Sequence, residues 1–208
     1  MTHMNMCNMF IITGKVSKCI LYTSAYFPCL CCFWYASSIL VQIYNINKMR
    51  KITEIILHCS ATPEGKDYKA ADIDRWHRNN GWKCIGYNFV IDIDGTIETG
   101  RDIEDIPAHC SGHNKNSVGI CYIGGCDKNM KAKDTRTDAQ KISLYKVVYE
   151  MMKKYNLDLT NVYCHYQFSN KQCPSFDIGT FKKEYLEWQN KPKTIVCPHC
   201  GNEISVVN

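Results

Sequence analysis

A chain of 208 residues with a formal net charge of +5 has room for one domain with a sizeable core, and is too short for two ordinary domains plus linkers. Residues 1–48 hold Lys15, Lys18 and Lys48 and no acid, +3 of the +5, so the rest of the chain carries only about +2 and lacks the basic footprint of a nucleic-acid binder. The 14 cysteines are irregularly spaced in a chain that is not small, which argues against a disulfide scaffold.

Residues 19–46 contain no charged side chain and are long enough to cross a bilayer core, but Pro28 interrupts them and only Lys15 and Lys18 flank them. Three readings stand open: a membrane anchor or uncleaved signal, an upstream extension of a reading frame that begins at Met49, or an ordered extra element. The expected organisation is an apolar extension over 1–48, a catalytic domain over 49–190 and a tail over 191–208. Membrane contact is expected only through residues 19–46.

From Met49 the composition is that of a soluble α/β domain. Ile52 to His58 alternates and then runs apolar into Cys59, which predicts a buried strand. Asp67 to Asn80 places Ala71, Ile73, Trp76 and His77 near helical spacing and ends at Gly81, an amphipathic helix with His77 as a half-buried packing residue. Tyr87 to Thr99 forms two alternating runs around Asp94-Gly95, the signature of a hairpin. Val118 to Ile123 is a further strand, stopped by Gly124-Gly125. Thr137-Asp-Ala-Gln140 has capping-box form and opens a helix to about Tyr155, with Ile142, Tyr145, Val148, Tyr149 and Met152 on one stripe. Asn161 to His165 reads as a strand, Tyr166 to Phe176 as a loop, and Asp177 as the cap of a last helix through Trp188. Alternating strands and helices with one hairpin predict a single α/β domain, a mixed central β-sheet flanked by α-helices.

Seven cysteines lie in this body. Cys59, Cys84, Cys110, Cys121, Cys126 and Cys164 read as small buried hydrophobes. Cys173 is different, because it shares the run Tyr163–Asp177 with His165. A borderline-soft dication such as zinc favours imidazole and thiolate, and a catalytic site keeps three protein ligands with a fourth position open. His58, at the end of the first strand, is the candidate third ligand. Cys59 and Cys164 are the candidates for a closed, purely structural site, but strand alternation points each away from the face of its neighbouring histidine. In the tail, Cys197-Pro-His-Cys200-Gly201 is half of a zinc knuckle, to be completed by His199, by a second chain, or by nothing.

His58-Cys-Ser-Ala-Thr-Pro63, Gly86-Tyr-Asn-Phe-Val-Ile91 followed by Asp94-Gly-Thr96, Ala108-His-Cys-Ser-Gly-His-Asn114, Ser117-Val-Gly-Ile-Cys-Tyr-Ile-Gly-Gly125 and Lys171-Gln-Cys-Pro-Ser-Phe-Asp177 occur in one order. Over about residues 50–188 the chain thereby resembles the zinc-dependent N-acetylmuramoyl-L-alanine amidases, the family of small phage amidase lysozymes and animal peptidoglycan recognition proteins. The resemblance implies one catalytic Zn2+ bound by His58, His165 and Cys173, with Tyr87 and Lys171 as catalytic residues, and a monomer acting on peptidoglycan rather than nucleic acid. It also implies substrate binding by His109 and Asn114. The other reading of that loop is that Gly112 makes a tight turn whose polar neighbours satisfy backbone groups. Arg101 is either a groove residue or a solvated charge. The implied place of action is the cell envelope or outside the cell, with a cytoplasmic stage before release if the gene belongs to a phage or prophage, and a membrane-anchored form if the N-terminal run is real. The alternative function is a non-catalytic peptidoglycan-binding module of the same fold.

Overall fold

The computed structural model describes residues 50–191, 193–196 and 203–206. The apolar run 19–46 and the Cys197–Gly201 half-knuckle lie outside them. Among the described residues no helix is long and apolar enough to cross a membrane.

In chain order the elements are β1 (Glu54–Cys59), β2 (Thr62–Pro63), α1 (Ala70–Asn79), β3 (Phe89–Ile91), β4 (Ile97–Thr99), β5 (Ser117–Tyr122), β6 (Gly125–Cys126), α2 (Asp138–Tyr155), β7 (Val162–Cys164), α3 (Ile178–Asn190), β8 (Lys193–Val196) and β9 (Glu203–Val206). The central sheet runs β4-β3-β5-β1-β7. Its pairs β3–β5, β5–β1 and β1–β7 are parallel, and β4 closes one edge antiparallel to β3. A parallel strand covered on both faces must be apolar on both, which is why Ile-Ile-Leu in β1 and Val118-Gly-Ile-Cys-Tyr122 in β5 read as near-continuous runs. β2 pairs with β6, and β8 with β9.

Alternation divides the sheet into two faces. Ile55, Leu57 and Cys59 of β1 join Val118, Ile120 and Tyr122 of β5 in the larger core, which α2 and α3 cover with Leu144, Val148, Phe181 and Tyr185. The opposite face carries Val90 and Cys121 against Ile73 of α1. His58 pairs with Cys121 in the register, so it stands on the α1 face.

The local signals hold at the ends of elements. Thr137 Oγ1 accepts from Gln140 N at 3.1 Å and Gln140 Oε1 accepts from Thr137 N at 3.0 Å, closing the capping box. The same fully buried Gln140 donates Nε2 to the carbonyls of Ile91 and Ile123, tying the start of α2 to the ends of two segments of the sheet. Asn156, in the left-handed conformation at φ 53°, ends α2. Asp177 caps α3, accepting from Thr180 N at 2.8 Å. At the hairpin Gly95 has φ +86°, and a Cβ there would lie 2.8 Å from the Ala139 carbonyl oxygen, so both conformation and space demand glycine.

The predicted stripe on α2 holds at three of its five positions, Tyr145, Val148 and Met152. Ile142 and Tyr149 are 42% and 37% exposed, while Leu144, Tyr145, Val147, Val148 and Met152 face the core. At about 100° per residue, positions 142 and 149 lie roughly 160° and 140° around the helix from Leu144, at the outer edge of the buried arc.

Candidate active site

His58 is the penultimate residue of β1, and His165 directly follows β7, which pairs with β1 through Leu57 and Cys164. Neighbouring parallel strands therefore end with two imidazoles side by side, their ring centroids 4.4 Å apart. The loop after β7 returns a thiol to them. Tyr166 N donates to the Cys173 carbonyl at 2.8 Å, and the buried Tyr122 hydroxyl donates to the Pro174 carbonyl at 2.8 Å, which pin the loop on both sides of the cysteine. Cys173 Sγ accepts from Cys59 N at 3.3 Å and stands 3.7 Å from His58 Nδ1.

One ligand atom from each of His58, His165 and Cys173 lies within 4.8 Å of the other two, and this is the one such metal-ligating cluster among the described residues. Tetrahedral bonds of about 2.0–2.3 Å put neighbouring donors roughly 3.3–3.8 Å apart, so the sulfur–nitrogen separation already suits a shared ion. Cys59 and Cys164 belong to the core on the other sheet face, as alternation requires, and Cys59 Sγ turns to Ser175 Oγ at 3.8 Å. No fourth protein ligand closes the site among the described residues.

Burial keeps both histidines neutral and their lone pairs free. It holds His58 well below the ordinary imidazole range, helped by His109, His165 and Lys171, and lowers His165, with Lys171 adding to the effect. Without a cation, the hydrogen bond with the Cys59 thiol and then burial push the Cys173 thiol up. A dication at this point reverses that balance, because it binds the thiolate.

Tyr87 lies against His58 at 5.1 Å between centroids. Burial raises its hydroxyl well above the usual phenol range, with the neighbouring thiols Cys121 and Cys173 adding to it. Lys171 is exposed, yet its charge reaches His58 and His165, and it lines a hollow of about 500 Å³ with Tyr166, Gln172, Ser175 and Phe176. Neither this hollow nor one of about 590 Å³ beside Tyr149, Leu157 and Tyr185 is lined by a histidine or cysteine.

The other residues singled out in the sequence serve structural ends. Asn114 Oδ1 accepts from the backbone N–H groups of His109 and Cys110, both at 2.9 Å, so it satisfies the loop backbone. His109 is buried against His58, its Nδ1 2.9 Å from His58 Nε2. Both residues of this pair thus have partners within the protein, Asn114 in the loop backbone and His109 in the ring of His58. Arg101 is not a free solvated charge, since its guanidinium donates to the carbonyls of Cys84, Ile85 and Ile106. His77 packs as expected, stacked on Trp82 at 4.4 Å and accepting from Gly86 N at 3.0 Å. Cys84 is half-buried, unlike the other five cysteines read as core.

The three buried neutral imidazoles of His58, His109 and His165 make the metal-free protein acid-sensitive. The unfolded chain protonates its histidines below about pH 6.5 while the folded state does not, so stability is full above that pH and falls as acid is added, by about 1.4 kcal/mol per pH unit and ring. Burial holds His109 at about 3, so its share of the loss continues down to that pH. Urea unfolding of chelator-treated protein between pH 7.5 and 4.5 should show this decline, with a shallower slope in His109→Asn; a flat profile contradicts it.

Two imidazoles and a thiol converge at the carboxyl ends of parallel strands with a phenol against one ring and no fourth ligand among the described residues, a donor set of the kind that α/β metallohydrolases use. A family model described as N-acetylmuramoyl-L-alanine amidase matches residues 48–176. The endolysin of Escherichia phage T7 is 38% identical over 132 residues, 63% of this chain and 86% of that protein. Among solved structures, the N-acetylmuramoyl-L-alanine amidase LysC from Clostridium intestinale is 27% identical with a TM-score of 0.56, covering 66% of this chain and 86% of LysC. Drosophila PGRP-LB is 26% identical with a TM-score of 0.52, covering 61% of this chain and 76% of its own. The chain belongs to the N-acetylmuramoyl-L-alanine amidase family, and it is a peptidoglycan hydrolase.

Proposed function

We propose that this amidase works with one zinc ion held by His58 Nδ1, His165 and Cys173 Sγ, and that Tyr87 and Lys171 are its catalytic residues. The bond cleaved is the amide between the lactyl group of N-acetylmuramic acid and the L-alanine of the stem peptide. The observation that carries the reading is the convergence of the three ligand atoms. When bound, zinc lowers the pKa of a water molecule toward neutrality and polarises the scissile carbonyl.

The protein's own groups do the rest. Tyr87, its ionisation suppressed by burial, keeps its proton at neutral pH and can donate a hydrogen bond to the oxygen that gains charge as the carbonyl is attacked. The Lys171 ammonium, at the rim of the hollow, donates to the same oxygen or delivers a proton to the departing L-alanine nitrogen. Burial of His58 and His165 keeps both rings unprotonated, so neither competes for that proton. A binding module without catalysis would need an incomplete site, whereas all three ligand types are present and close.

We place its action at the cell wall as a monomer, after synthesis in a cytoplasm and release. Lys171→Ala should lower turnover about 10²–10³-fold, the cost of one lost oxyanion donor, while metal content stays near one zinc per chain. Turnover on purified peptidoglycan and metal analysis of the same sample check this; zinc loss in that variant would mean that Lys171 supports the ligands instead.

A further inference from the structure

We infer that His109, backed by Ser117, is a positioning residue that fixes which nitrogen of His58 is free to bind the metal. The inference rests on the reading of His58 as a ligand, and it begins from a group whose role is certain: the His113 carbonyl can only accept.

Ser117 Oγ stands 2.8 Å from that carbonyl oxygen, so the serine hydrogen is spent there and only lone pairs remain on Oγ. His109 Nε2 lies 3.1 Å from the same Oγ and must therefore be the N–H donor. A neutral ring has one N–H, which leaves His109 Nδ1 bare. That bare nitrogen is 2.9 Å from His58 Nε2, which must in turn carry the hydrogen. The His58 lone pair then lies on Nδ1, the atom 3.7 Å from Cys173 Sγ. Three hydrogen bonds run in one direction, from a ligand ring to a backbone carbonyl, and each determines the next.

The alternative arrangement is poor everywhere along the chain. A hydrogen on His109 Nδ1 would face the His58 N–H, or would force His58 to hydrogen-bond through a bare Nε2 and turn an N–H toward the other ligands. Both His109 nitrogens are occupied and the ring is 9% exposed, so no donor is left for a substrate.

The sheet is built to admit this ring. Ser117 and Gly119 lie on the same face of β5, beside β1 in parallel register. A Cβ at Gly119 would come within 2.5 Å of His109 Cδ2 and 2.7 Å of Cγ, so glycine leaves the hollow in which the imidazole lies. Asn114 fixes the backbone of His109 from the other side, accepting from its N–H at 2.9 Å.

The test combines tautomer spectroscopy with metal affinity. Long-range 1H–15N spectra of metal-free protein with 15N-labelled histidine should show His58 and His109 each protonated at Nε2 alone. In competition with a chromophoric chelator, His109→Leu should bind zinc about 10–100-fold more weakly, the usual cost of losing such an outer partner. His109→Asn, which keeps an acceptor near the Nδ1 position, should recover part of that loss. Gly119→Ala, which alters no polar group, should weaken binding by crowding the ring. An Nδ1-protonated His58, or natively folded His109→Leu with unchanged zinc affinity, would overturn the inference. A wild-type protein that binds no zinc would refute the metal reading, and the tautomer spectra would still decide the relay.

Discussion

Cys173→Ser is expected to abolish zinc binding at micromolar metal and to lower amidase turnover at least about 10³-fold, while leaving the fold intact. A serine hydroxyl is harder than a thiol and stays protonated near neutral pH, so it cannot replace a thiolate as a charged ligand. A bound catalytic metal lowers a hydrolytic barrier by several kcal/mol, and each 1.36 kcal/mol is a factor of ten in rate. The substitution is nearly isosteric, and the loop that presents residue 173 is held by backbone and tyrosine hydrogen bonds that do not use the sulfur. Metal analysis, circular dichroism and turnover on the same preparation separate ligand loss from unfolding. Activity at the wild-type rate in Cys173→Ser would sink the mechanism.

Arg136→Ala is expected to destabilise the protein by about 3–5 kcal/mol, the cost of breaking a buried charged network by removing one partner. The Arg136 side chain is fully enclosed. Nε and Nη2 donate to the two Asp134 oxygens at 2.9 and 2.8 Å, and Nη2 reaches Glu184 at 3.1 Å. Glu184 also takes Lys141 Nζ at 3.1 Å and the Tyr145 hydroxyl at 2.9 Å. The guanidinium carbon lies 3.8 Å from the centre of the Phe176 ring, three residues beyond Cys173. Removing it leaves carboxylates short of a partner and loosens the end of the ligand loop, so zinc affinity should fall as well. At about 2–4 °C per kcal/mol for a domain of this size, the melting midpoint should drop by roughly 6–20 °C. Arg136→Lys keeps the charge but loses the planar fork, and should recover only part of the midpoint. A midpoint within 2 °C of wild type in Arg136→Ala would show that the network contributes little.

Arg136 also marks what could not be read from the chain alone. The strands around His58 and Cys121, the hairpin at Gly95 and the caps at Thr137 and Asp177 carry their signals within a few residues, and all of them formed where expected. The convergence of His58, His165 and Cys173 was legible because motif order linked them across the chain. The Arg136–Glu184 contact spans 48 positions and leaves no local trace. The same is true of the His109 relay, which depends on Ser117 and Gly119 sharing a face of β5 next to β1; from sequence alone that histidine fell to the groove. The stripe on α2 was legible at Tyr145, Val148 and Met152 but not at Ile142 and Tyr149, which are apolar yet exposed, so hydrophobicity did not mark the inward face uniquely.

The most direct test is mass analysis of the products released from purified peptidoglycan by the zinc-loaded protein, by the chelated protein and by the chelated protein after zinc is restored. Metal content is measured in each sample. The expected products are free stem peptides beginning with an unblocked L-alanine and glycan strands of unchanged length, appearing with zinc, absent after chelation and returning with the metal. Shortened glycan strands, peptides cut within the stem, or release that persists in metal-free protein would contradict a zinc amidase.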